Sequence, residues 1–155
     1  MIDSTAETLD HIRRVNILLI HVITNLLYRC ISHDSSKLYG IEKDWLDRQS
    51  VKLNQLEYSP TYLGELAESD SGPSLEEFLK SHYKNNSHHP EHYENGINGM
   101  TLIDLVEMTC DWKAAGERHL NGSFKNSLDV NIKRFNINPQ LAQIIENTGV
   151  LFGWI

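Results

Sequence analysis

The sequence predicts an all-α protein, and three observations predict it. Apolar residues recur at helical spacing, first in Leu9, Ile12, Val15, Leu19, Val22 and Leu26. Pairs with capping-box spacing stand before apolar runs: Ser4 with Glu7, Ser74 with Glu77, and Thr101 with Asp104. No stretch alternates apolar and polar residues as a strand would, and there is no repeat or linker. The expectation is one compact domain over residues 1–155, built of about six or seven helices.

Taken in order, residues 4 to 32 read as helix, with neither Gly nor Pro before Gly40. Residues 41 to 57 read as a second helical region carrying Ile41, Trp45, Leu46, Leu53 and Leu56, interrupted by Ser59-Pro60. Residues 61 to 68 suit a short helix, and Gly72-Pro73 a turn. The cap at Ser74 opens a helix to about Tyr83. Lys84 to Gly99, rich in Asn, His, Pro and Gly, reads as loop. Thr101 starts a helix to about Leu120, stopped by Asn121-Gly122. Residues 124 to 135 are helical, and Asn138-Pro139 is a cap and first-turn pair for a last helix to about Thr148.

A net charge of −7 argues against an extended nucleic-acid surface. A small anionic ligand remains compatible if a metal or a local cation meets it. Cys30 and Cys110 are too few and too distant for a disulfide framework, and the N-terminal segment lacks a signal-peptide layout, so a reducing cytoplasm is expected. The longest apolar stretch, Val15 to Leu27, is broken by Asn16, His21, Thr24 and Asn25 and reads as too short and too polar for a membrane span. The late apolar residues Val150, Leu151, Phe152 and Trp154 suit packing on the core or on another subunit of a homo-oligomer.

The chemistry concentrates around Ser32-His33-Asp34-Ser35-Ser36-Lys37. His33 and Asp34 are adjacent metal-ligand types, and Lys37 is a point charge suited to phosphate. The helix from Thr101 adds Asp104, Glu107 and Asp111. At 100° per residue Asp111 lies ~20° and Glu107 ~60° from Asp104, so the three carboxylates share a face, with Leu102, Leu105, Val106 and Thr109 mostly on another. Taken alone, such a face is most simply a solvated stripe. Met108, Cys110 and Trp112 around it point instead to burial, where carboxylates need partners such as a divalent cation.

If His11 and His33 bind one ion, the chain must fold back between them. In one straight helix they stand ~33 Å apart. Equal arms put the reversal near Val22-Ile23-Thr24-Asn25, a β-branched segment with an Asn. His21 competes as first ligand but needs a tighter reversal, and is better read as a helix-surface or satisfied core histidine.

The order His11, His33-Asp34, Asp111 resembles the H…HD…D pattern of the HD-domain metal-dependent phosphohydrolases. Glu107-Met-Thr-Cys-Asp111-Trp-Lys-Ala-Ala115 is similar to the late helix of that superfamily. More closely, His33-Asp34-x-Ser36-Lys37, Asn86-Ser-His-His-Pro-Glu-His92 and Glu107-Met108-x-x-Asp111-Trp112 resemble a small uncharacterised group of phage and bacterial proteins, over roughly residues 5 to 135. The resemblance implies a helical domain binding a divalent cation (Mn, Co, Zn, Mg or Fe) through His11, His33, Asp34 and Asp111. It implies hydrolysis of a small phosphate ester, a nucleotide by superfamily analogy. Lys37 is then the expected phosphate contact, Glu42 orients the attacking water or handles a proton, and Glu107 joins the site or orients a ligand histidine.

The loop residues His82, Asn86, His88, His89 and His92 are expected to close over the substrate. His82 with His88 or His89 is an alternative second metal site, as in HD enzymes with extra histidines. Plainer readings stand beside these: His33-Asp34 as a helix C-cap, Lys37 as a surface lysine, Glu42 as a first-turn acid favoured by the helix dipole, and the histidine loop as polar surface. Arg29, Arg118 and Arg134 are further candidates for phosphate, while Trp45 and Trp112 suit the core. Rival functions are a non-catalytic protein that binds or sequesters a nucleotide through a metal, and a structural interaction protein.

Overall fold

The computed structural model describes residues 3–53, 72–118 and 122–155. Among them are six α-helices and no strand, so the protein is all-α. They are α1 (Thr5–Ser32), α2 (Gly40–Leu53), α3 (Leu75–Asn85), α4 (Leu102–Glu117), α5 (Phe124–Arg134) and α6 (Pro139–Leu151). The expected short helix at 61–68 and the Asn121 stop lie outside the described residues. The chain divides into two units, residues 1–33 and 34–155, where one domain is expected from the sequence.

The first unit is α1, unbroken for 28 residues. The reversal expected near Val22–Asn25 does not occur. With neither Gly nor Pro present nothing interrupts the backbone ladder, and Thr24 and Asn25 donate their side chains back to Ile20 O and His21 O within the helix. The Ser4–Glu7 capping box is not formed either, and Asp3 accepts the Thr5 N–H instead. No residue of α1 is buried. From Thr5 to Leu38 the chain is long and apolar enough to cross a membrane by length and composition, with a hydropathy of 1.5 in its best window.

The second unit has two apolar clusters. Met108 and Trp112 of α4 meet Phe124 and Leu128 of α5, Ile137, and Ile145 of α6. Trp154 packs edge-on against Phe124 at 5.4 Å, while Val150, Leu151 and Phe152 remain exposed. Gly149 permits the close approach of α6: a Cβ there would meet the Phe124 ring at 2.7 Å. In the second cluster Trp45 of α2 stacks on Phe78 of α3 at 4.3 Å. The first cluster joins α4 to α5 and α6, and the second joins α2 to α3. The capping boxes at Ser74–Glu77 and Thr101–Asp104 and the Asn138 cap form as the sequence predicts.

Candidate metal centre

Polar residues from α2, α3, α4 and the adjoining turns are buried together in the second unit. His88, Glu42 and Asp104 are each about 1% exposed. The carboxylate of Asp34 lies at the middle of this group. Its backbone is left-handed, at φ 52°, which short polar residues tolerate and which turns the chain out of helix. It is followed by a 3-10 turn over Ser35–Leu38. Lys37, three residues on, brings its Nζ to 2.6 Å from Asp34 Oδ2. The other oxygen, Oδ1, lies 3.7 Å from His82 Nε2 and 3.6 Å from His88 Nε2.

Both imidazoles are held from behind by a buried carboxylate. Nδ1 of His82 is 3.0 Å from Glu42 Oε2, and Nδ1 of His88 is 3.2 Å from Glu107 Oε1. An ionised carboxylate only accepts, so each Nδ1 donates to its carboxylate and each Nε2 lies on the side towards Asp34. This is the arrangement by which carboxylates orient and strengthen histidine ligands of metals. His89 completes the group, with its Nε2 2.8 Å from that of His82. With His82 protonated at Nδ1, so close an approach requires a proton or a cation between the two nitrogens. One ligand atom each from Asp34, His88 and Asp111 lie within 4.8 Å of one another, as do those of Asp34, His82 and His89. The donor set is mixed imidazole and carboxylate, which suits a divalent first-row cation.

Burial and hydrogen bonding shift three groups of the cluster, His89, His82 and Glu42. Burial pushes His89 down to about 3, reinforced by His88 and His82 beside it. Burial also lowers His82, with Lys37 adding to it, against the opposing pull of Asp34 and Glu42. Burial tends to raise Glu42, but hydrogen bonds from Ser36, His82, Asn85 and Ser81 outweigh it and hold the group below the usual carboxylate range.

Several expectations need correction. Glu42 is not placed to handle a proton: Ser36 and His82 occupy one oxygen and Ser81 and Asn85 the other. Its Oε2 lies 3.0 Å from His82 Nδ1. Asn86 is not a substrate contact, because its amide is buried and donates to Ser36 Oγ and His82 O. His92 is exposed and donates to Tyr83 O, outside the cluster. Asp104 shares the acidic face but serves as a structural acceptor for Thr101, Tyr93 and Ser87. The apolar face opposite it is not wholly core, since Leu102 and Val106 are exposed while Asp104 and Glu107 are buried and Asp111 is half-buried. Arg134 is engaged by Glu91 at 2.6 Å.

His11 fails its expected geometry most clearly. On one continuous α1 it stands ~33 Å from His33, so the two cannot meet one ion within a single chain. His33 caps α1, as the plainer reading has it, and Asp34 follows it in the chain. The sequence reading overlooked Ser36, Ser81 and Asn85 as anchors of Glu42. Their signal was available: Ser81, His82 and Asn85 fall within about one turn of α3, at spacings that share a face.

Fold and site together define a helical protein with a buried carboxylate–histidine cluster of metal-ligand composition. The chain belongs to a family of unknown function, DUF5662, whose model matches residues 1–149. No curated protein and no solved structure matches it.

Proposed function

We propose that the protein is a divalent-metal-dependent phosphohydrolase acting on a small phosphate ester, with Asp34, His88 and Asp111 as ligands. The observation that carries this reading is the pair of buried imidazoles, each backed by its own carboxylate and each aiming Nε2 at Asp34. A stable fold gains little from such an arrangement, because burying these groups costs several kcal/mol unless something compensates them. A divalent ion held there supplies a Lewis acid that activates water and polarises a phosphoryl oxygen.

The chain's own residues do the rest. Glu42 and Glu107 fix the tautomer and ring orientation of His82 and His88. Lys37 is two-thirds buried beside Asp34 and supplies positive charge for a phosphate. His82 and His89, with Asp34, form a second ligand group beside the first, suited to a second cation or to the phosphate itself. A nucleotide as substrate rests on the resemblance to HD-domain enzymes alone.

One observation favours the rival, a metal-dependent binder without turnover. Glu42, the carboxylate expected to orient water or handle a proton, is committed to His82, and Glu107 is committed to His88. The test is turnover of a nucleotide and phosphomonoester panel with Mn²⁺, Co²⁺, Mg²⁺ or Zn²⁺. Phosphate release lost in Asp34→Ala, with helix content retained, is the expected result. Metal binding with tight nucleotide retention and no release selects the binder, and a fully active Asp34→Ala protein refutes the site.

A further inference from the structure

Both the backbone and the side chain of Lys37 are tied back to Asp34. The Lys37 N–H donates to Asp34 O at 2.9 Å, which closes the turn between the two residues. Ser36, the residue before Lys37, is 4% exposed. Its Oγ donates to Glu42 Oε2 at 2.7 Å and accepts from Asn86 Nδ2 at 2.8 Å. The turn is thereby anchored to α2 and to the residue that caps α3. From this fixed backbone the Lys37 side chain returns to the carboxylate, and Nζ meets Oδ2 at 2.6 Å. That is the short end of charge-assisted contacts. The side chains are 34% and 15% exposed, so the pair is screened less than one on the open surface.

The two oxygens of Asp34 therefore face different groups. Oδ2 faces the ammonium, and Oδ1 lies 3.7 Å from His82 Nε2 and 3.6 Å from His88 Nε2. We propose that Lys37 is a positioning residue that holds Asp34 to coordination through one oxygen, and so sets the centre for small divalent cations such as Mn²⁺ against Ca²⁺. The inference rests on the metal reading under Proposed function and adds a basis for its selectivity.

A cation held between Oδ1 and His88 Nε2 leaves the ammonium where it is. A cation drawn onto both oxygens would stand beside the ammonium, and the two positive charges repel. This penalty falls unequally on different ions. Ca²⁺ gathers about six to eight oxygen ligands and readily takes both oxygens of a carboxylate, whereas smaller octahedral ions are satisfied by one. Imidazole from His88 also disfavours Ca²⁺. The change on substituting Lys37, rather than the wild-type preference alone, isolates the lysine. An ammonium has three N–H groups, so one on Oδ2 leaves others for the phosphate contact proposed above.

The test is calorimetric titration of the metal-free, untagged full chain with Mn²⁺, with Ca²⁺ affinity read by competition against it. Wild type, Lys37→Met and Lys37→Gln are compared. Both ions should bind more tightly once the charge is gone, but Ca²⁺ should gain more, because it alone uses the released oxygen. The preference for Mn²⁺ over Ca²⁺ should fall by about tenfold in each variant, the low end of what an outer partner of a metal ligand is worth. Lys43→Met is the control. It removes an equal charge from an exposed lysine of α2 that pairs with Asp47, and should leave the preference unchanged.

A wild type that binds Ca²⁺ as tightly as Mn²⁺ overturns the proposal without recourse to any variant. So does a folded Lys37→Met chain with the wild-type preference, or a Lys43→Met chain that shifts it as far as Lys37→Met does. In the last two cases the metal reading stands and only the role of Lys37 falls. A wild type that takes up neither Mn²⁺ nor Co²⁺ overturns the metal reading itself, and this inference with it.

Discussion

α1 and the body at residues 34–155 invert each other's chemistry. The helix turns Leu18, Leu19, Ile20 and Ile23 outward, while the body turns Glu42, His88 and Asp104 inward. Each arrangement costs free energy in an isolated chain. Exposed apolar area forfeits about 25 cal/mol per Å², and a buried ionisable group needs compensating partners. Features that oppose stability are where function is expected to sit. In isolation the helix lacks a covering apolar surface, and the cluster, on the function proposed above, lacks its cation.

The largest contrast comes from matched truncations. Leu128→Ala empties a fully buried site and should cost about 2–5 kcal/mol by urea denaturation. Leu19→Ala on exposed α1 should change the stability of the dilute chain by less than about 0.5 kcal/mol. Equal costs would mean that α1 is packed in the isolated chain, and the contrast would be lost.

Glu107→Gln comes next. It leaves a neutral side chain behind His88, so metal affinity should fall about 10–100-fold by calorimetry with little loss of helix. Unchanged affinity would reduce Glu107 to an ordinary ion-pair partner. Tyr93→Phe removes one hydrogen bond to Asp104 Oδ2 and should cost about 1 kcal/mol without touching metal binding. A change in metal affinity as large as that of Glu107→Gln would break the division between structural and ligand-bearing carboxylates on α4.

The smallest effect is in pH dependence. His89 is held at about 3 in the fold against an ordinary value of about 6.5. Between those values the unfolded chain binds a proton that the folded one does not, so the metal-free protein should lose stability as pH falls from about 6.5 towards 3. His89→Gln should flatten that slope by about one proton. Asp104 adds to the loss further down: burial tends to raise it, but hydrogen bonds from Thr101, Tyr93 and Ser87 hold it below the usual range. Its stabilisation is present above the unfolded value of about 3.9 and disappears as pH drops below it. An unchanged slope in His89→Gln would show that the imidazole is not buried neutral.

Much of the fold was legible because helix starts are written locally. Ser74 with Glu77, Thr101 with Asp104, and Asn138-Pro139 each formed the cap their spacing implies. Burial of the acidic face of α4 was legible from Met108 and Trp112 beside it. The error at Val22–Asn25 came from placing a demand of the site above the local signal. Nothing in that segment breaks a helix, and only the wish to bring His11 to His33 asked for a turn. Asp34 and Asp111 were singled out through the resemblance to the HD-domain pattern, and they share one group of ligand atoms. The alignment of His82 and His88 on Asp34 could not be read from the sequence, because it depends on how the turn at Pro90–His92 and the Asn86 cap fold back on α3. Long-range convergence of this kind leaves no periodicity to read.

The central claim is that the buried cluster is a cation site. The most direct measurement is a Co²⁺ titration of untagged protein followed by visible absorption, alongside Asp34→Asn. The account predicts uptake of at least about one ion per chain with bands of mixed nitrogen and oxygen coordination. Asp34→Asn should lose them at unchanged helix content. A wild type that takes up no Co²⁺, or an Asp34→Asn protein that binds it as well as the wild type, would contradict it.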